Sequence, residues 1–150
     1  MEPRAVPHPS HIGLCVSDLD AAMRFYCDGL GFSAAERFDL DDTMLPGLGA
    51  SLEVDTPVRV ASQFVRLDDM AIELLHYTSP TASGTPSASR GQLGLTHLAF
   101  HVDDLESSLA RAIEAGGTLL ESTRGSLGVE LIFLADPDGT RVELMEMPAR

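Results

Sequence analysis

The strongest constraint on this chain is an internal repeat. "PSHIGLCVSDL" begins at residue 9 and "GLTHLAFHVDDL" at residue 94, and aligning them sets His11 over His97, Asp18 over Asp104 and Leu19 over Leu105. Each copy opens with a period-two run, the signature of a half-buried strand. His11, Gly13 and Cys15 alternate with Ile12, Leu14 and Val16; His97, Ala99 and His101 alternate with Leu98, Phe100 and Val102. An acidic cap ("SDLD", "DDLE") then starts a helix of about ten residues that stops at glycine. Three strand-like runs follow each helix. The clearest are "VELIFLADPDGTRVELMEM", two strands around a DPDG turn, and "VRVASQFVRLDDMAIELLHY", two strands around "LDDM". The Ser, Thr, Pro and Gly stretch "TSPTASGTPSASRGQ" reads as a linker.

These runs predict an α+β fold of two paired βαβββ units within one domain, the first over 8–79, the linker over 80–93 and the second over 94–147. Four strands and one helix leave a sheet face uncovered, so the two units are expected to pair. At 150 residues and 44% apolar, the chain is long enough to bury one core without disulfides. Its two cysteines, Cys15 and Cys27, lack CxxC spacing.

The same alternation places the carboxylates. Glu73 lies between Ile72 and Leu74 in the last strand of the first copy, and Glu143 lies between Val142 and Leu144 in the last strand of the second. If the apolar neighbours face the helices, both glutamates share the opposite sheet face with His11 and His97. A lone histidine or glutamate in a strand is ordinarily a hydrogen-bonded or solvated residue. Here an unpaired carboxylate facing a sheet interior, which costs several kcal/mol, occurs twice in repeat register with a histidine. A divalent cation relieves all four, since two carboxylates cancel its charge and two imidazoles complete a donor set with room for water.

Charge limits the partners. A net charge of −13, with 23 acidic against 10 basic residues, repels phosphate backbones and anionic lipid, so no nucleic acid and no membrane partner is expected. Every basic residue is arginine, which excludes Schiff-base chemistry and a phosphate-loop lysine. No apolar run has membrane-span length and "MEPRAVPHPS" lacks a signal core, so a cytoplasmic setting is expected.

"HIGLCVSDLDAAMRFYCDGLGF", "LTHLAFHVDDLESSLARAIEAGG" and "DPDGTRVELME" resemble the vicinal oxygen chelate superfamily, which includes glyoxalase I, methylmalonyl-CoA epimerase, extradiol dioxygenases and bleomycin-binding proteins. The resemblance runs from about residue 8 to 147. It implies an open half-barrel around a metal, with His11, Glu73, His97 and Glu143 as ligands in an order similar to that of glyoxalase I. It further implies a divalent ion (Ni, Co, Zn, Mn or Fe), a small-molecule substrate with neighbouring oxygens, and a homodimer. The ligands then come from one chain or from two. The chemistry implied is enolisation, by a glyoxalase-like lyase or isomerase or by an acyl-CoA epimerase, with Glu143 as base, Glu73 second, and Glu53 of "SLEVDTPVRV" entering only in the epimerase pattern.

Substrate-pocket candidates are Cys15 and His101 beside the ligands and His76 and Tyr77 after Glu73. Arg59, Arg66, Arg90, Arg124 and Arg141 are available for an anionic substrate, although scattered arginines ordinarily serve as solvated surface. An extradiol-type dioxygenase is the alternative, disfavoured by a fourth ligand at Glu73. A metal-free antibiotic-binding protein is another, disfavoured by intact ligands and the absence of Trp as a stacking platform.

Overall fold

The computed structural model describes residues 5–148. In chain order the elements are β1 (Ile12–Cys15), α1 (Leu19–Met23) continuing as a π-helical segment (Arg24–Gly29), β2 (Ser33–Asp41), α2 (Leu48–Leu52), β3 (Arg59–Leu67) and β4 (Met70–Ser79). They continue with β5 (Leu98–Val102), α3 (Leu105–Glu114), β6 (Thr118–Ser126), β7 (Glu130–Ala135) and β8 (Arg141–Glu146). Two four-stranded mixed sheets result, ordered β1-β4-β3-β2 and β5-β8-β7-β6, and neither closes into a barrel. In each, the first strand runs parallel to the last and the other pairings are antiparallel. A parallel neighbour needs a crossover, and the helix after each first strand begins that connection.

The repeat persists in backbone detail. Asp18 (φ −140°, ψ 110°) caps α1 by accepting from the Ala21 amide. Asp104 (φ −141°, ψ 106°) caps α3 through the Ser107 amide. After α3 the chain turns at Gly116, whose φ of +107° lies in the left-handed region that glycine occupies without a Cβ clash.

One apolar core joins the halves: Phe25, Tyr26, Ile72 and Leu74 pack with Leu109, Ala112, Leu134, Val142 and Leu144. The close approach is glycine-dependent. A Cβ on Gly117 would stand 2.8 Å from Phe25 Cε2, and one on Gly29 would stand 3.0 Å from Ala115 Cβ. Polar ties span the same junction. The buried Tyr26 hydroxyl donates to Asp136 at 2.8 Å, the Ser17 amide and hydroxyl both donate to Asp138, and Arg111 Nε donates to the Asp28 carbonyl at 2.6 Å.

The halves depart from the repeat in two places. Instead of one ordinary helix, the first half widens into a π-helical segment, so that the consecutive aromatics Phe25 and Tyr26 both reach full burial. The first half also contains α2, which the strand reading did not anticipate. Leu48 of α2 builds a second apolar cluster with Val58 and Val60, packed by Leu40, Val54, Leu75 and Tyr77. The segment between the sheets is ordered locally: Arg90 donates to the carbonyls of Ser87 and Thr96.

Candidate metal centre

Register decides which side chains share a face. Glu73 pairs with Phe64 across β3 and β4, and Glu143 pairs with Phe133 across β7 and β8, so each glutamate lies beside a phenyl ring. The buried neighbours Ile72 and Leu74, Val142 and Leu144, belong to the shared core, and alternation turns both glutamates to the sheet face opposite it. His11 precedes β1 and His97 precedes β5, each reaching the glutamate of its own half.

The two clusters match closely. His11 Nε2 lies 3.2 Å from Glu73 Oε2, and His97 Nε2 lies 3.2 Å from Glu143 Oε2. The His11 ring meets Phe64 edge-on at 5.2 Å and 82°, and the His97 ring meets Phe133 at 5.0 Å and 81°. Behind each ring, Nδ1 contacts the hydroxyl of the preceding residue: Ser10 at 2.9 Å and Thr96 at 2.7 Å. Such a bond fixes ring orientation, and with Nδ1 protonated the Nε2 lone pair is free to ligate. One difference separates the clusters. Ser62 donates to Glu73 Oε1 at 2.6 Å, while among the described residues no hydroxyl holds the second oxygen of Glu143.

Each half thus offers two convergent donors, one imidazole nitrogen and one carboxylate oxygen, of the kinds that divalent first-row ions accept. The donor chemistry fits such an ion, but one chain does not gather all four. Among the described residues no three His, Cys, Asp or Glu side chains come together in a metal-sized group.

The other candidates take distinct places. Cys15 and His97 line one cavity of about 290 Å³ between β1 and the approach to β5. Burial, and then Asp138, pushes the Cys15 thiol up, which keeps it protonated and weakly nucleophilic. His101 lines a separate cavity of about 410 Å³ with Asp68, Asp69 and Arg111. Tyr77 shares the Glu73 face and packs against the α2 cluster, and burial raises its phenol, with Cys15 and Glu73 adding to the effect. His76 falls on the opposite face, its Nδ1 3.2 Å from the Val16 carbonyl.

Glu53 caps the C-terminus of α2 with a left-handed φ of 56° and is exposed, outside either His–Glu pair. Of the five arginines, Arg66 and Arg124 are held in ion pairs to Glu36 and to Glu106 and Glu121. Sequence reasoning missed Phe64, Phe133, Ser10, Thr96 and Ser62. The hydroxyl residue before each histidine was visible in the repeat; the rings and Ser62 depend on cross-strand register.

Comparison with known proteins agrees with this architecture. A glyoxalase family protein from Bacillus cereus superposes with a TM-score of 0.79 over 97% of both chains at 19% identity, a likeness of fold. Among curated sequences, a probable lactoylglutathione lyase from Synechocystis sp. is 28% identical over 93% of this chain and 95% of its own. An ethylmalonyl-CoA/methylmalonyl-CoA epimerase from Cereibacter sphaeroides is 30% identical over 92% of this chain and 96% of its own. The profile of one family covers residues 8–144, and the chain belongs to that family, the Glyoxalase/Bleomycin resistance protein/Dioxygenase superfamily.

Proposed function

We propose that the chain is a divalent-metal-dependent enzyme of the vicinal oxygen chelate type that enolises a small substrate with neighbouring oxygens, as a lyase or isomerase like glyoxalase or as an acyl-CoA epimerase. The observation that carries this is the duplicated cluster: a His Nε2 and a Glu Oε2 at 3.2 Å, a hydroxyl on each Nδ1 and a phenyl ring beside each imidazole. The two pairs do not meet within one chain, so an ion would be held by His11 and Glu73 of one copy together with His97 and Glu143 of a second.

A divalent ion bound there supplies Lewis acidity, lowering the cost of removing a proton beside a chelated carbonyl. The protein's own groups do the rest. His11 and His97 are oriented by Ser10 and Thr96, Phe64 and Phe133 exclude water from one side of each imidazole, and Ser62 pins Glu73. Glu143, with its second oxygen unrestrained by a hydroxyl, takes the substrate proton on its carboxylate, and Glu73 is second choice. Glu53 caps α2 outside both pairs and enters this step only if the reaction is that of an epimerase.

Metal analysis tests the assignment. Near-stoichiometric Ni, Co, Zn, Mn or Fe in the parent after each ion is added back, lost in the His11→Ala, His97→Ala double variant, is the expected result. Equal metal in both proteins would remove the site.

A further inference from the structure

Beside the His97–Glu143 pair lies a cavity of about 290 Å³ lined by Arg90, Arg141, Phe133, Leu120, Ser122 and Thr123. Phe133 is the ring already set against His97, so cavity and candidate metal ligand share a wall. Arg141 stands two residues before Glu143 in β8 and points to the same sheet face. Arg90 is anchored to the carbonyl of Thr96, the residue whose hydroxyl orients His97.

The two arginines are held by backbone carbonyls, as Arg111 is, and not by carboxylates. Arg37, Arg66 and Arg124 are neutralised by carboxylates at 3.0, 3.0 and 2.6 Å. Arg90 donates to the carbonyls of Ser87 and Thr96, and Arg141 donates to the Gly139 carbonyl at 2.9 Å; neither forms an ion pair among the described residues. Backbone carbonyls fix a guanidinium in place without cancelling its charge. On a chain of net charge −13, which repels anions at long range, two such uncancelled cations in one cavity form a local exception.

We propose that Arg90 and Arg141 bind a carboxylate carried by the substrate away from its chelating oxygens, with Phe133 packing against the carbons between. The planar guanidinium matches a carboxylate in two-point geometry, and each arginine has N–H donors left after its carbonyl contacts. The cavity lies at the small end of ligand sites, sized for a short acid rather than a nucleotide. This rests on the proposed metal site and names the class of substrate it takes: a small α-oxygenated acid with a second, remote carboxylate.

The test uses two probes with the same chelating end, 2-hydroxyglutarate and 2-hydroxyvalerate, titrated by calorimetry into the metal-loaded protein and into the metal-free protein. The parent should bind 2-hydroxyglutarate at least about tenfold more tightly. An Arg90→Gln, Arg141→Gln double variant should lose that preference while keeping its metal uptake and its affinity for 2-hydroxyvalerate. Arg141→Lys, which keeps the charge and loses the two-point geometry, should retain part of the preference and guards against a misfolded double variant. Equal affinity for the two probes in the parent, or an undiminished preference in the double variant, overturns the subsite. Metal uptake, titrated separately, reports on the metal site itself; if no metal binds, the preference of the metal-free protein judges the subsite alone.

Discussion

At the scale of single residues, the glutamates were legible because alternation in a strand is unforgiving, Glu73 and Glu143 sitting between core residues and facing away from them, while the histidines were legible because the repeat sets His11 over His97. Ser10 and Thr96 were harder to assign. Within a strand, a residue beside His would face the opposite side, but both lie before β1 and β5 begin, where the backbone is free of that alternation. Substituting either hydroxyl, as Ser10→Ala or Thr96→Val, should weaken metal binding by about tenfold without unfolding the protein, as loss of an outer hydrogen-bond partner does. Glu143→Gln should abolish turnover with a modest loss of metal, whereas Glu53→Gln should leave a glyoxalase-type reaction unchanged. Full activity of Glu143→Gln on an identified substrate would reassign the base. Tyr26→Phe removes the hydroxyl that donates to buried Asp136 and should cost about 1–3 kcal/mol in urea unfolding.

At the scale of elements, the repeat made strands, caps and turns readable, and the departures from it were the unreadable part. The π-helical segment exists because Phe25 and Tyr26 are both drawn into a core shared with the other half, a tertiary demand that local propensity does not carry. Likewise α2 spans five residues and is justified only by the apolar face it covers. A Cβ on Gly117, between α3 and β6, would stand 2.8–3.0 Å from Phe25, the Ala112 carbonyl and Leu134. Gly117→Val should therefore destabilise by about 1–3 kcal/mol or more through overpacking, read as a lower urea midpoint with an unchanged slope. The β7–β8 turn offers a pH test. Burial pushes the Asp136 carboxyl up, only partly offset by bonds from Tyr26 and the amides of Asp138 and Thr140. A raised folded value means that folding favours the protonated form, so this group's contribution is greatest below its unfolded value and falls as pH rises through the folded one. Asp136→Asn should lose that decline, and its stability relative to the parent should improve from about pH 4 upward. A constant difference across that range would show that Asp136 does not titrate as its burial implies.

For the whole molecule, one core binds two sheets whose chemical faces point away from it, and each face carries half of a donor set. On the proposed reading, each half is an incomplete site that a second copy related by a twofold axis completes. The doubling was visible in the residues from the start; the separation of the pairs was not, because it follows from how the two helical faces pack. The most direct measurement is metal content of the His11→Ala, Glu73→Ala variant, the His97→Ala, Glu143→Ala variant, and an equimolar mixture of the two unfolded and refolded together. Each variant alone should hold no metal, while the mixture should recover about a quarter of an ion per chain, because half the dimers are mixed and each of those rebuilds one intact site. A mixture as empty as its parents would contradict a site shared between chains.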